Sequence, residues 1–265
     1  MSDQTNDEVR AAVREQYGNV ARTEGAAAWA PGCCGPTPDS SLALGYSQDE
    51  LAAVPEGANM GLGCGNPQSI AALAEGETVL DLGAGGGLDC FLAGKQVGPK
   101  GRVIGVDMTP DMITKARANA RTLGAQNVEF RLGEIEHLPV ADGTVDVILS
   151  NCVINLSPDK RAVFVGALRV LKPGGRLAIC DVVATGELPA KLADDIAALT
   201  GCVSGAADLE TLRLLLDAAG FEQIRVDLKE ESRAFIQQWM PGSGVENYVA
   251  SATIEAVKPA SESTR

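Results

Sequence analysis

Seven cysteines are spread through 265 residues that contain a single histidine. Five of the thiols sit where a side chain has room to react. Cys33-Cys34, Cys64 and Cys202 lie in segments dense in Gly, Pro, Ser or Thr, and Cys152 directly follows the apolar run Val145 to Ser150. Loop positions beside a cleft carry reactive groups more often than packing groups. Cys90, next to Phe91 and Leu92, and Cys180, inside Leu177 to Val183, read instead as small buried hydrophobes. Zinc is poorly served, because there is no C-x-x-C pair and adjacent Cys33-Cys34 suits a tetrahedral knuckle badly. A thiol-only set selects soft, thiophilic species. His137 reads as a cap or surface residue rather than a catalytic base.

A second chemical signal is the stretch Thr78 to Leu88, in which a β-branched strand ends in Asp81-Leu82 and passes through Gly83-Ala84-Gly85-Gly86-Gly87 into an apolar-periodic helix. Glycines let backbone approach a ligand, and the following helix start presents unpaired N–H groups. A further strand, Arg102 to Val106, ends at Asp107, 20 residues after Gly87, where such folds place a carboxylate on ribose hydroxyls. A nucleotide-like cofactor belongs here. The dinucleotide pattern G-x-G-x-x-G nevertheless fails, because Leu88 stands at its last position.

These groups need a scaffold, and the pattern supplies one. Strands are predicted near 78–82, 102–107, 127–131, 145–150 and 176–183, and helices near 88–96, 110–123, 158–170 and 188–199. Parallel strands with right-handed crossovers satisfy that alternation. Asp208 to Ala219 reads as a capped helix stopped by Gly220; Glu222 to Glu230 and Tyr248 to Lys258 read as two antiparallel edge strands. Upstream, a helix is predicted over Asp7 to Tyr17 with Asn6 or Asp7 as cap, and a capping box at Ser47 and Glu50 opens a short helix to Val54. Ala30 to Pro38 and Asn59 to Pro67 are loops, the second leading into a helix from Ser69 to Leu73. Pro259 to Arg265 reads as a polar tail.

Composition narrows the function. Hydrophobic content of 45% with 22% charged residues is that of a soluble globular protein. A net charge of -13 without a local Lys/Arg cluster repels a phosphate backbone, so no nucleic-acid partner is expected. Met1 to Glu8 is polar and acidic, and no run approaches membrane-spanning length, so neither a secretory signal nor a membrane partner is expected. The expected location is the cytoplasm, where irregularly spaced cysteines stay reduced.

The acid-L-G-x-G-x-G form of Asp81 to Gly87 resembles class I S-adenosylmethionine-dependent methyltransferases, and four further segments agree. Asp107-Met108 is similar to that family's ribose and adenine contacts, and Gly133-Glu134-Ile135-Glu136 to its adenine-edge loop. Val145 to Ser150 resembles its fourth strand, and Leu171-Lys172-Pro173-Gly174-Gly175 the turn into its fifth. The resemblance implies a Rossmann-like α/β fold, with a mostly parallel seven-stranded sheet and helices on both faces. It also implies S-adenosylmethionine binding by Asp81, Gly83, Ala84, Gly85, Asp107, Met108, Gly133, Ile135, Glu136 and Asn151. In that set Asp81 either orients the glycine loop or approaches the donor's amino-acid end, and Asn151 either contacts the donor's methionine carboxylate through its backbone or takes no part in it. A leading helix in this fold commonly lies over the cofactor, which would bring Tyr17 to the pocket; the alternative is a surface helix that tucks one face down. Ser150-Asn151-Cys152-Val153 lacks the prolines and aromatic residue that amino-methylating DNA enzymes show.

Gly61 to Pro67, Ser150 to Leu156 and Thr200 to Ala206, in that order around such a core, sharpen the resemblance to arsenite methyltransferases. It implies that Cys152 and Cys202 bind trivalent arsenic, that Cys64 is a third thiolate, and that Cys33 or Cys34 joins a redox cycle. Arsenite and methylarsenite are the implied substrates, with thioredoxin or glutathione as thiol reductant. The implied organisation is a cysteine-loop segment (1–75), a donor-binding core (76–183), an arsenic-binding insertion with the last strands (184–258) and a tail (259–265). Poverty in histidine agrees, since an arsenic lone pair needs no base to expose it. Two other readings remain at this point: a class I methyltransferase of a quinone-like carbon or oxygen acceptor, and a non-catalytic soft-metal binder.

Overall fold

The computed structural model describes residues 5–23, 40–189 and 202–260. Cys33, Cys34, all but the first two residues of the helix predicted over 188–199, and the last five residues of the tail lie outside them.

Seven strands form one sheet in the order β3-β2-β1-β4-β5-β7-β6. They are β1 (Thr78–Leu82), β2 (Arg102–Asp107), β3 (Val128–Leu132), β4 (Val145–Asn151), β5 (Leu171–Ala184), β6 (Glu222–Lys229) and β7 (Val249–Val257). The first five run parallel, and β7 is antiparallel to both β5 and β6. The nine α-helices among the described residues are α1 (Asn6–Thr23), α2 (Ser40–Ala43), α3 (Gln48–Ala52), α4 (Gln68–Ala71), α5 (Leu88–Val97), α6 (Pro110–Leu123), α7 (Lys160–Val170), α8 (Leu209–Ala219) and α9 (Arg233–Ile236). None is long and apolar enough to cross a membrane.

Side chains alternate across a strand, so each central strand feeds two cores. Leu80, Leu82, Ile148 and Ile179 pack with Phe164 of α7 and Leu216 of α8, whereas Val79, Val103, Val147 and Leu149 pack with Phe91 of α5 and Ile113 of α6. Burial on both faces is what parallel strands with helical crossovers require. The carboxyl ends of β1, β2, β4 and β5 all open on one edge of the sheet.

Most boundaries match the sequence reading, including the reciprocal capping box of Ser47 and Glu50 and the Asp208 cap with its Gly220 stop. Three differ. Helix α1 runs six residues past Tyr17, because Val20 and Ala21 are buried in a patch with Met60 and Met112. Its cap is Thr5 rather than Asn6 or Asp7: the Thr5 hydroxyl accepts from Glu8 N–H (3.3 Å) while Thr5 N–H donates to Glu8 Oε2 (2.7 Å). Helix α4 stops at Ala71, since Ala72 turns left-handed at φ 46°.

Candidate active site

Three cysteines separated by scores of residues meet at the carboxyl edge of the sheet. Cys64, Cys152 and Cys202 are all buried and share one cluster with Val182, Leu156 and Val249. The Cys64 and Cys152 sulfurs and a carboxylate oxygen of Asp181 lie within 4.8 Å of one another. The Cys202 thiol donates to the Cys152 carbonyl (2.8 Å), and the Cys152 N–H to the Cys180 carbonyl (2.8 Å). Cys152 and Cys202 both take left-handed backbone, at φ 58° and φ 64°. For a residue with a Cβ this conformation costs on the order of 1 kcal/mol or more, and such strain concentrates at functional sites. Burial pushes the Cys152 thiol well above its usual range, with the Cys202 and Cys64 thiols beside it adding to the effect. Burial likewise raises Cys64.

Asp181 was not legible as a site residue. It faces the thiols from the end of β5, with Oδ1 accepting from Val182 N–H (2.8 Å) and Asn155 Nδ2 (2.9 Å), and Oδ2 from Ile154 N–H (2.9 Å). Asn155 also donates to the Cys202 carbonyl (3.3 Å), which ties that loop to β5. A carboxylate inside an otherwise apolar strand was the available signal. Burial pushes the Asp181 carboxyl from 3.8 up to about 6, against the pull of those hydrogen bonds and Lys160.

This shift carries a stability prediction. Between pH 4 and 6 the folded chain holds a proton on Asp181 that the unfolded chain has lost, so stability falls as pH rises through that window. A shift of about 2 units corresponds to on the order of 3 kcal/mol. Asp181→Asn removes the titration, so the stability of wild type minus that of the variant should fall by about that amount between pH 4 and pH 7. Urea unfolding at four pH values tests this, and a flat difference refutes it.

Beside the thiols lies a half-open cleft, walled by residues 58–63, the glycine loop, the ends of β2 and β4, and Val13 and Tyr17 of α1. Asp81, Gly83, Ala84, Gly85, Asp107, Met108, Ile135, Glu136 and Asn151 line it, as does Cys152; Gly133, Cys64 and Cys202 do not. Gly133 sits behind, its N–H donating to the Asp107 carbonyl (3.0 Å) while Pro139 covers its α-carbon. Asp107 pins the loop, with Oδ2 accepting from Gly85 N–H (3.0 Å) and Oδ1 from Thr109 N–H (2.8 Å). Gly85 adopts φ 50°, so its peptide N–H turns toward that carboxylate without a Cβ in the way.

Charge decides what the cleft can hold. Asp81, Asp89, Asp107 and Glu136 are buried along its wall, and among the described residues no lysine or arginine lines it. Burial raises Asp81, Asp89 and Asp107, and proximity of Asp89 raises Asp81 further. Such a wall repels a pyrophosphate and favours a cationic ligand. A sulfonium donor suits such a wall, and the glycine loop, Asp107, Met108 and Ile135 all line it. Helix α1 closes one side, held by Arg10, which donates to Glu136 Oε1 (3.2 Å) and lies 3.6 Å from Glu134. Tyr17 therefore stands at the cleft, as the leading helix implied. His137 is exposed, 3.9 Å from Glu134, and takes no part. Cys90 donates to Asp81 Oδ2 (3.2 Å) in the core, and Cys180 is buried in β5.

Comparison with known proteins agrees with this geometry. Residues 73–220 match the family described as Methyltransferase domain. An arsenite methyltransferase from Halobacterium salinarum is 51% identical over 98% of this chain and 69% of its own length. One from Aquipseudomonas alcaligenes is 41% identical over 73% of this chain, which spans only 57% of that relative. An arsenic(III) S-adenosylmethionine methyltransferase from Chlamydomonas reinhardtii, known from its crystal structure, superposes with a TM-score of 0.62 at 32% identity, covering 86% of this chain and 75% of that one. The chain belongs to the arsenite methyltransferase family, on the class I methyltransferase fold.

Proposed function

We propose that this chain methylates trivalent arsenic, arsenite first and then methylarsenite, with S-adenosylmethionine as donor and detoxification as the outcome. One observation carries the reading: Cys152 belongs to the thiol cluster and to the wall of the anionic cleft at once. The donor supplies an electrophilic methyl on a sulfonium. The chain's part is to bind, orient and exclude water. Three thiols displace three hydroxyls from arsenite, each thiol proton leaving with a hydroxyl as water. The arsenic lone pair then forms the bond to the methyl carbon as the carbon–sulfur bond breaks, which leaves a neutral thioether and pentavalent arsenic. Holding the reactants in line at about 3–3.5 Å is the entropic contribution expected of such a site. Return to trivalent arsenic takes two electrons from a thiol pair that becomes a disulfide. We assign that role to the vicinal pair Cys33-Cys34, or to Cys64 together with a partner thiol, with thioredoxin or glutathione regenerating the thiols.

The quinone-like alternative is weaker here, since an oxygen or carbon acceptor usually needs a base and no histidine lines the cleft. A purely sequestering role leaves the glycine loop and Asp107 without a use. Purified protein with arsenite, S-adenosylmethionine and a dithiol should yield methylated arsenicals by chromatography. No such product refutes the reading. A further expected outcome concerns Cys64→Ser. It should slow methylation of arsenite at least about tenfold more than that of methylarsenite, because two thiols suffice for the monomethyl species. Equal slowing counts against a third-ligand role.

A further inference from the structure

Cys64 lies between two glycines that allow its loop to press onto the sheet. A Cβ on Gly63 would sit 2.6 Å from Asn151 Nδ2, and one on Gly65 would sit 2.8 Å from the Cys180 sulfur. At that contact one side-chain amide reads the backbone on both sides of the thiol. Asn151 Oδ1 accepts from Cys64 N–H (3.0 Å), and Nδ2 donates to the Gly65 carbonyl (2.8 Å) and to Tyr46 Oη (3.1 Å). Tyr46 in turn donates to Asp89 Oδ1 (2.8 Å), which Gln68 also reaches (3.2 Å). The Ser251 hydroxyl holds the Cys64 carbonyl (2.9 Å). Asn151 directly precedes Cys152, so the residue that fixes Cys64 is bonded to the residue carrying the neighbouring thiol. Only an amide supplies both the acceptor and the donor; aspartate would lose the donor and leucine both.

Resting on the arsenic reading, we propose that Asn151 is the positioning residue that places Cys64 as third thiol. It thereby selects arsenite, with three exchangeable hydroxyls, over monosubstituted arsenicals that have two. The side chain thus works on the substrate loop, whatever its backbone does toward the donor.

The test compares arsenite with phenylarsenous acid, a probe limited to two thiols, on wild type, Asn151→Ala, Cys64→Ser and the double variant. Loss of a hydrogen-bonded anchor of this kind is expected to weaken arsenite binding about tenfold. Phenylarsenous acid binding should stay within about twofold, a split that general destabilisation would not give. Counting thiols protected from alkylation should give one fewer under arsenite in Asn151→Ala than in wild type. The double variant should bind arsenite no worse than Cys64→Ser alone. Gly65→Ala, which lifts the same loop off Cys180 while leaving Asn151 in place, should reproduce the selective loss if Asn151→Ala folds poorly. Equal weakening toward both probes, or additive losses in the double variant, overturns the assignment of Asn151 alone. A wild-type protein in which neither probe protects any thiol overturns the arsenic reading and this inference with it.

Discussion

Cys152→Ser and Cys202→Ser should each lower methylation of arsenite and of methylarsenite by at least about 10³-fold, roughly 4 kcal/mol of barrier, while S-adenosylmethionine binds as before. The substitution is nearly isosteric and keeps the local hydrogen bonding: a serine hydroxyl at 202 still donates to the Cys152 carbonyl that the thiol now reaches at 2.8 Å. The left-handed backbone at both positions is equally open to either residue. What changes is softness. A hydroxyl does not hold trivalent arsenic against water. Methylarsenite has only two hydroxyls to exchange, and in this reading Cys152 and Cys202 are the pair that takes them, so losing either one leaves it a single anchor of that pair. One anchor permits rotation and ends the in-line alignment on which the rate depends. Product analysis by chromatography, with donor affinity by calorimetry as a fold control, checks the claim. Wild-type turnover in either variant removes that cysteine from the arsenic site.

The fold was legible because its signals are local. Strand-helix alternation, the Asp81 to Gly87 loop and the caps at Ser47 and Asp208 each act within a few residues, and the structure places them accordingly. The thiol positions were legible for a different reason: cysteines in glycine-rich loops at strand ends have few packing uses, and three of them converge. What holds them is mostly nonlocal. The bonds from Asn151 to Gly65 and Tyr46 span 86 and 105 residues, and nothing in the neighbourhood of Asn151 names either partner. Asn155 in the run after Cys152, and Asp181 in an apolar strand, carried weak hints of buried polar roles, since such groups persist inside a protein only when paired. Of the anionic wall, Asp81, Asp107 and Glu136 were legible as one set through the family resemblance, whereas Asp89, inside α5, was not. The four come from separate segments, and the sheet order brings them to one cleft.

The same nonlocal packing makes one small glycine decisive, and the expected result is that Gly86→Ala lowers donor affinity by about 100-fold or more. Gly86 stands in the glycine loop that lines the cleft, and a Cβ there would lie 2.6 Å from the Gly57 carbonyl oxygen and 2.8 Å from that of Ala58. Those atoms are backbone, so no side chain can swing aside. Nor can the Gly86 peptide retreat easily, because Asn119 Nδ2 holds its carbonyl at 2.9 Å from behind. The strain must displace residues 58–63, the opposite wall of the cleft and the approach to Cys64. Overpacking of this kind costs about 1–3 kcal/mol of stability, and the displaced wall loosens both donor and third-thiol positions together. Gly76→Ala supplies the contrast, since its φ of 87° strains the backbone while nothing stands within 4 Å of the added methyl. It should cost about 1 kcal/mol of stability and leave donor binding unchanged. Calorimetric titration of S-adenosylmethionine into both variants decides the matter: retention of wild-type affinity in Gly86→Ala would mean that the two walls do not meet as described.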